Sequence, residues 1–557
     1  MVLDYKDVSF SFSNRKARRR RQKLRLALLV FFALALFLGY RYLKTRLAVD
    51  EIQELLVADR LLEAENRLRT VESSLFQRGN IRELRALHEL FKGRLDAAET
   101  QLKKLQQAKV STSLRSGQLL KYFFDRGGYL QLKIYTDYLL PRGGDEALWF
   151  YALCQAAFLN RGESEKAMAG LSPSYKKANG KALEVLSNFN RSLRLERIDF
   201  IFDKNDQPLA YFDLQRRVTR SLLPGMDLGD FDAQFKKGVR YFRLTLDSGL
   251  QKKVDLLFKN YFGTLVLLDL PENSIAVAYS KPRSFAAANA AFVEQFEPGS
   301  IIKIISLLAY LRHAEGGLFP LVCPGRVTLG DKVFYDWTEH GRVRDFAQAL
   351  AVSCNFSFAR MALRVGFTSL ADLLQRFYFN GPPFTDGFIK FPTGSFNSRV
   401  GDDFQLAKLA VGLEEIRVTT VYASVLAAIF SQSGQLFPPY LIDDAKNILG
   451  LGFYRHSARP IRVLADDLNF MRVKKAMVEV VENESGTGHR ARSETVRLAI
   501  KTGTTGSSRQ GLDAVIIGFF PVENPRYAFA FRLQGAGKAE FNGAFFLRDL
   551  IKSLYQK

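Results

Sequence analysis

Between Leu24 and Leu43 nearly every position is apolar, and the segment Leu26–Leu38 carries no charge at all. With Arg25 and Arg41 near its ends able to snorkel, this run has the ~20 residues that a helix needs to cross a bilayer. From Val49 to about Asn190 the pattern changes to helical periodicity. Apolar residues recur at i, i+3 and i+4 in Ile52–Leu62, Ile81–Leu95 and Ala97–Leu105. Gly79-Asn80, Gly127-Gly128, Gly143-Gly144 and Gly162 punctuate it. Two segments in this stretch look alike, one beginning at Gly93 and the other at Gly162. Paired-helix repeats of the tetratricopeptide kind produce such a pattern, and so does an unrepeated helical bundle.

After Ser192 the chain alternates. Arg197–Phe202 and the residues after Asn205-Asp206 predict two strands around a turn. Tyr241–Asp247 predicts a strand, followed by a short helix near Leu250-Gln251. Gly263–Asp269 and Ser274–Ser280 predict a hairpin of buried strands. Pro298-Gly299 then breaks the chain, and an apolar helix is expected from about Ser300 to His313. Further on, Leu512–Pro521 and Tyr527–Arg532 predict paired strands.

Composition supports a folded chain, with 47% hydrophobic residues, and 557 residues suffice for two or three domains. The net charge of +23 is partly local, because the first 25 residues hold nine Lys/Arg against Asp4 and Asp7. A basic cluster ahead of an apolar run stays cytoplasmic, which places the chain beyond about Arg46 outside the membrane. Gly39 leads into Tyr-Arg-Tyr-Leu-Lys-Thr-Arg, with no small-x-small cleavage site, so a retained signal-anchor is expected. Beyond the N-terminus no basic patch is concentrated enough to predict a nucleic-acid partner. Cys154, Cys323 and Cys354 are widely spaced, and the five histidines form no ligand pattern, so no metal or cofactor is expected.

Chemistry enters at Glu297-Pro-Gly-Ser300-Ile-Ile-Lys303. Residues three apart on a helix share a face, which brings the Lys303 amine alongside the Ser300 hydroxyl. A serine is a poor nucleophile at neutral pH unless a neighbouring base, such as a desolvated amine, takes its proton. Ser-x-x-Lys alone is weak, since a serine there is more often a helix cap and the lysine a solvated charge. Two further motifs follow in order: Ser353-Cys354-Asn355, and Lys501-Thr502-Gly503-Thr504. The hydroxyl of Ser353 suits a proton relay, and the Asn355 amide can both donate to and accept from a peptide.

Ser-x-x-Lys, Ser-x-Asn and Lys-Thr-Gly in this order form the signature of the serine penicillin-recognising enzymes. The chain resembles the penicillin-binding proteins from about Arg197 to its end. The helical segments Ile416–Ala423 and Ala427–Gly434, and Pro438-Pro439, also look like that family's helical lobe. One departure is Glu414-Glu415, where relatives more often have a Gly-rich approach. The resemblance implies a multidomain protein: a basic cytoplasmic tail (1–23), a transmembrane signal-anchor (24–43), an all-α module (44–190), a linker or pedestal (191–255), and an α+β transpeptidase domain with an antiparallel sheet and an all-helical lobe (256–557). No glycosyltransferase pattern precedes that domain, so a monofunctional enzyme is expected.

The implied reaction is peptidoglycan D,D-transpeptidation. Ser300 would be the nucleophile, Lys303 its base and Ser353 the relay. Asn355, Lys501, Thr502, Gly503 and Thr504 would hold the substrate, and the backbone N–H groups of Ser300 and Thr504 would form the oxyanion hole. Gly503 would keep a strand clear for the substrate lying over it, while Lys501 would supply positive potential and the hydroxyls of Thr502 and Thr504 would hold a carboxylate. Implied partners are stem peptides, β-lactams as covalent inhibitors, the bacterial cytoplasmic membrane and, through the helical module, other cell-wall synthesis proteins. A D,D-carboxypeptidase stays open on sequence alone, and a tethered β-lactamase or a non-catalytic β-lactam sensor are the remaining alternatives.

Overall fold

In the computed structural model the described residues are 6–283, 289–314, 316–413, 416–464, 467–507 and 511–555. Glu414-Glu415 therefore lies outside them. The chain forms two compact units, one of Met1–Ser192 with Lys236–Gly238, the other of Leu193–Phe235 with Val239–Lys557.

The first unit is helical. It starts with α1 (Lys6–Val57), the single helix among the described residues long and apolar enough to cross a membrane. From Leu24 to Leu43 the large apolar side chains of α1 stand exposed, reaching 74% at Leu36. The character reverses at Thr45, after which Ala48, Val49, Ile52 and Leu56 are buried. One continuous helix thus serves two environments. The helical run expected over Ile52–Leu62 is interrupted: α1 ends at Val57, Asp59 adopts a left-handed backbone (φ 62°), and a new helix begins at Leu61. Successive short helices follow to Ser192, most of them packed on a neighbour in sequence.

Their core is mostly aliphatic and aromatic, with a few buried polar side chains such as Gln53, Asn190 and Glu83, the last 1% exposed. The Tyr135 hydroxyl donates to it at 2.7 Å and the Tyr138 hydroxyl at 3.2 Å. Buried acceptors of this kind are tolerated only when their lone pairs are satisfied.

The second unit holds two sheets. The six-stranded sheet contains the expected pair Arg197–Phe202 and Pro208–Asp213, together with Val239–Leu244 and strands from the 440s and 450s. The five-stranded antiparallel sheet is built from β1 (Gly263–Asp269), β2 (Ser274–Lys281), β3 (Ala499–Ser507), β4 (Gly511–Phe520) and β5 (Tyr527–Leu533), in the order β3-β4-β5-β1-β2. The β1–β2 hairpin is almost fully buried, because helices cover it: Thr420–Ser431 packs on β1, β4 and β5, with Thr264 and Thr420 hydroxyls 2.6 Å apart.

The helical lobe surrounds α2 (Lys303–His313), whose residues through Leu311 are all buried. The α3 (Phe346–Ala351) and α4 (Asn355–Val365) helices pack against it, as does Asp467–Glu482. A helix apolar on every side needs such enclosure.

Replacing Glu83 by Ala leaves two tyrosine hydroxyls without their acceptor in a dry core. The expected loss is about 3 kcal/mol, read by chemical unfolding of the full chain followed by the first unit's helical signal. Glu83→Gln, which keeps an acceptor oxygen, is expected to lose less.

Candidate active site

Ser300 lies in a single turn of 3-10 helix, Gly299–Ile302, and the regular α-helix begins only at Lys303. The turn is shaped by its glycine. Gly299 takes a left-handed backbone (φ 57°), and its N–H donates to the Gly412 carbonyl at 2.8 Å. At Gly412 any Cβ would sit 1.9 Å from the Gly299 carbonyl oxygen, so two backbones meet there with no room for a side chain. Gly503 is explained in the same way. A Cβ on it would lie 2.9 Å from the Pro298 carbonyl and 3.3 Å from Ile301. Its missing side chain therefore lets β3 close against the turn that carries Ser300, whereas the sequence reading assigned that clearance to the substrate.

The second motif sits between α3 and α4. Ser353 is held at φ 55°, a left-handed conformation costly for a residue with a Cβ, and Cys354 caps α4 by accepting from the Ser357 N–H. This strained corner aims three groups inward. The Lys303 ammonium nitrogen donates to the Ser353 carbonyl at 2.6 Å and to Asn355 Oδ1 at 2.6 Å, and lies 3.2 Å from Ser353 Oγ. From the other side, Lys501 Nζ donates to Ser353 Oγ at 2.9 Å and to the Thr502 carbonyl at 2.8 Å.

Both lysines are 0% exposed. Burial lowers Lys303 to about 8, with Asp336 and Cys354 opposing the shift. Burial, with the Lys303 charge beside it, holds Lys501 well below the ordinary lysine value. Lys501 was expected to supply positive potential; its enclosure makes that charge costly and places it as the second partner of Ser353. Asp336 stands behind Lys303. Burial pushes its carboxyl up, but the His340 ring, the Lys303 charge and the backbone N–H groups of Phe356 and Asn355 outweigh this and hold it well below the usual carboxylate range.

Ser300, Ser353, Asn355, Thr502 and Thr504 line one cavity of about 270 Å³. Lys303, Lys501 and Gly503 lie behind its wall. The Ser300 hydroxyl makes no side-chain hydrogen bond among the described residues. Thr502 shares a 2.6 Å hydrogen bond with Thr487, and Thr504 Oγ1 accepts from the Ala539 N–H at 3.1 Å. The sequence reading thus named every polar residue contributed by the three motifs. It missed Trp337, Thr487, Lys538 and Glu540, which also line the cavity. For Thr487 a signal was present, the Gly486-Thr-Gly488 triplet ahead of the third motif, whereas nothing local marks Trp337 or Lys538.

Residues 263–548, just over half of the chain, match the family described as the penicillin binding protein transpeptidase domain. Over 312 residues the chain is 24% identical to the "Probable peptidoglycan D,D-transpeptidase PbpC" of Pseudomonas aeruginosa, covering 52% of each chain. Over 319 residues it is 20% identical to the "Peptidoglycan D,D-transpeptidase FtsI" of Buchnera aphidicola, covering 54% of each. The chain therefore spans about half the length of the curated relatives it matches. Among solved structures, the D,D-transpeptidase domain of a peptidoglycan glycosyltransferase from Eggerthella lenta superposes with a TM-score of 0.57 at 20% identity, over 64% of this chain and 98% of that one. Mycobacterium tuberculosis PBPA gives 0.56 at 17% identity, over 65% and 100%. These superpositions share the fold.

Gly412→Ala drives a methyl into the Gly299 carbonyl and displaces the Ser300 turn. The expected result is a stability loss of about 2–4 kcal/mol and an acylation rate by a fluorescent penicillin about 100-fold lower. Calorimetry and a labelling time course on the full chain check the two effects separately.

Proposed function

Because the chain belongs to the penicillin-binding protein transpeptidase family, we propose that it is a membrane-tethered peptidoglycan D,D-transpeptidase acting through a Ser300 acyl-enzyme. The observation that carries this reading is the continuous chain Asn355–Lys303–Ser353–Lys501 beneath the cavity that Ser300 lines. Ser300 Oγ attacks the carbonyl of the penultimate D-alanine of one stem peptide, and its proton passes to Lys303. The carbonyl becomes an oxyanion held by the backbone N–H groups of Ser300 and Thr504, an arrangement worth about 10²–10³ in rate per donor. The C–N bond then breaks, and the terminal D-alanine leaves with a proton delivered through Ser353. An amine from a second stem peptide attacks the ester, gives its proton back along the same route, and departs joined to the first peptide with Ser300 restored.

The partners of Lys303 fit the basic role. A neutral amine has two N–H bonds and one lone pair. The Ser353 carbonyl and Asn355 Oδ1, each at 2.6 Å, take up both N–H bonds and leave the lone pair for an incoming proton. Thr502 and Thr504 offer hydroxyls on β3, where a substrate carboxylate would lie. In this reading the exposed stretch of α1 spans the cytoplasmic membrane with the N-terminus inside, residues 44–190 form a spacer and docking module, 191–255 the pedestal, and 256–557 the catalytic domain, outside the membrane.

Ser300→Ala is expected to abolish covalent labelling by a fluorescent penicillin while leaving the melting temperature near wild type, and persistent labelling would remove Ser300 from its assigned role. With lipid-linked precursor and a polymerase, the full chain in detergent is expected to yield cross-linked muropeptide dimers. Shortened monomers without dimers would instead identify a carboxypeptidase.

The pH dependence follows from Lys303. Only the neutral amine can accept the Ser300 proton, and its neutral fraction rises with pH until the folded-state value of about 8 is passed. The acylation rate is therefore expected to climb toward a plateau above about 8, by roughly tenfold per unit at lower pH. Lys303→Arg, which stays protonated, is expected to be inactive across that range.

A further inference from the structure

Where α1 leaves its exposed apolar stretch, the turn after the next helix comes back to meet it, and the two enclose a basic cleft. The helix Leu61–Val71 runs antiparallel to α1. Arg67 Nε donates to Glu51 Oε2 at 2.8 Å, the Ser74 and Thr45 hydroxyls lie 3.0 Å apart, and the Phe76 ring meets Tyr42 edge-on at 6.1 Å. The turn of residues 72–76 therefore stands level with 42–45, the end of the apolar stretch. Leu75 in that turn is 73% exposed.

The cleft has a volume of about 200 Å³. Arg41, Lys44 and Thr45, spaced three and four apart on one face of α1, line it opposite Arg67, Thr70 and Ser73. Its lining thus holds three cations and several hydroxyls, with no carboxylate. Arg41 and Lys44 make no ion pair among the described residues. Glu51 takes only the Nε–H of Arg67, and Glu72, next to Ser73, is paired with Arg85. Cations at the translocated end of a membrane helix run against the bias that keeps Lys and Arg cytoplasmic. Plain solvation gives no reason to gather them with hydroxyls at that boundary.

We propose that this cleft binds the phosphodiester headgroup of an anionic glycerophospholipid in the outer leaflet of the membrane that α1 spans. The inference rests on that membrane-spanning reading of α1, with the chain from residue 44 onward outside. At about 1.5 Å of rise per residue, Arg41 to Thr45 occupy about 6 Å of the helix axis, close to the thickness of the polar layer flanking the hydrocarbon core. The cleft opens into the layer where phosphates lie. A guanidinium offers a phosphate two parallel N–H bonds, and Lys44 adds a point charge. Acyl chains leaving a phosphate held here run along the apolar side chains of α1 and past Leu75, contacts that a free phosphate cannot make. A lipid so held ties the turn of residues 72–76 to the membrane surface and fixes which face of the helical unit is turned to the bilayer.

The full chain in neutral detergent, titrated with dioctanoyl phosphatidylglycerol or dioctanoyl phosphatidylcholine and read by native mass spectrometry, tests the site. The anionic lipid is expected to bind about 25-fold more tightly, about fivefold for each of Arg41 and Lys44. Arg41→Gln with Lys44→Gln should remove that preference. Arg46→Gln, an exposed cation of α1 outside the cleft lining, should change it by less than about twofold. The helical circular dichroism signal reports that each variant is folded. The basic tail ahead of α1 also attracts anionic lipid, so a photoreactive phosphatidylglycerol locates the bound molecule, with cross-links expected within 41–48 or 67–76. Equal binding of the two lipids, equal loss in Arg46→Gln and the double variant, or cross-links confined to the tail would each overturn the site. Displacement by an equal concentration of glycerol phosphate would assign the cleft to a free phosphate and remove the lipid. Resistance of the chain to alkaline extraction from membranes tests the span of α1, and penicillin labelling tests Ser300, so the lipid preference fails separately from both.

Discussion

Everything around the cavity depends on two lysine side chains enclosed in the protein and meeting at one serine. Lys303 and Lys501 approach Ser353 Oγ at 3.2 Å and 2.9 Å from opposite sides, and neither reaches water. Two ammonium groups so placed repel each other in a medium that already penalises each charge. The low-lying arrangement therefore keeps at least one amine neutral, and that neutrality turns an ordinary Ser-Lys neighbourhood into a basic one. Asp336 limits the effect, because its carboxylate behind Lys303 favours the charged form. The balance holds Lys303 at about 8, which in the proposed mechanism makes it a proton acceptor both available and effective.

Holding that meeting point demands close backbone approach from three parts of the chain. Gly299 and Gly412 touch at backbone distance, Gly503 lets β3 press on the same turn, and Ser353 is kept in a left-handed conformation between two helices. None of these contacts adds much hydrophobic burial. Their cost is met by the surrounding core, in which α2 is buried on all sides and the β1–β2 hairpin is covered by helices. A site built from strained loops thus sits on elements that have little freedom to relax it.

Much of this was legible in the sequence because the strongest signals are local. Alternation marked Arg197–Phe202, short apolar runs marked the β1–β2 hairpin, and a longer apolar run marked the helix that ends at His313. The motifs marked their own polar residues. What the pattern could not give is adjacency. Strand β3 lies at the edge opposite β2 because the hairpin β1–β2 and the run β3–β4–β5, far apart in sequence, join at β5 and β1, and the groups that line the cavity with Ser300 come from segments around 353–355 and 502–504. The role of Gly503 was misjudged for the same reason. A missing side chain shows that something comes close, and only the fold identifies the neighbour as Pro298. Likewise, the break at Asp59 interrupts a periodicity that Ile52–Leu62 shows without a gap, since a single left-handed residue leaves no mark on apolar spacing.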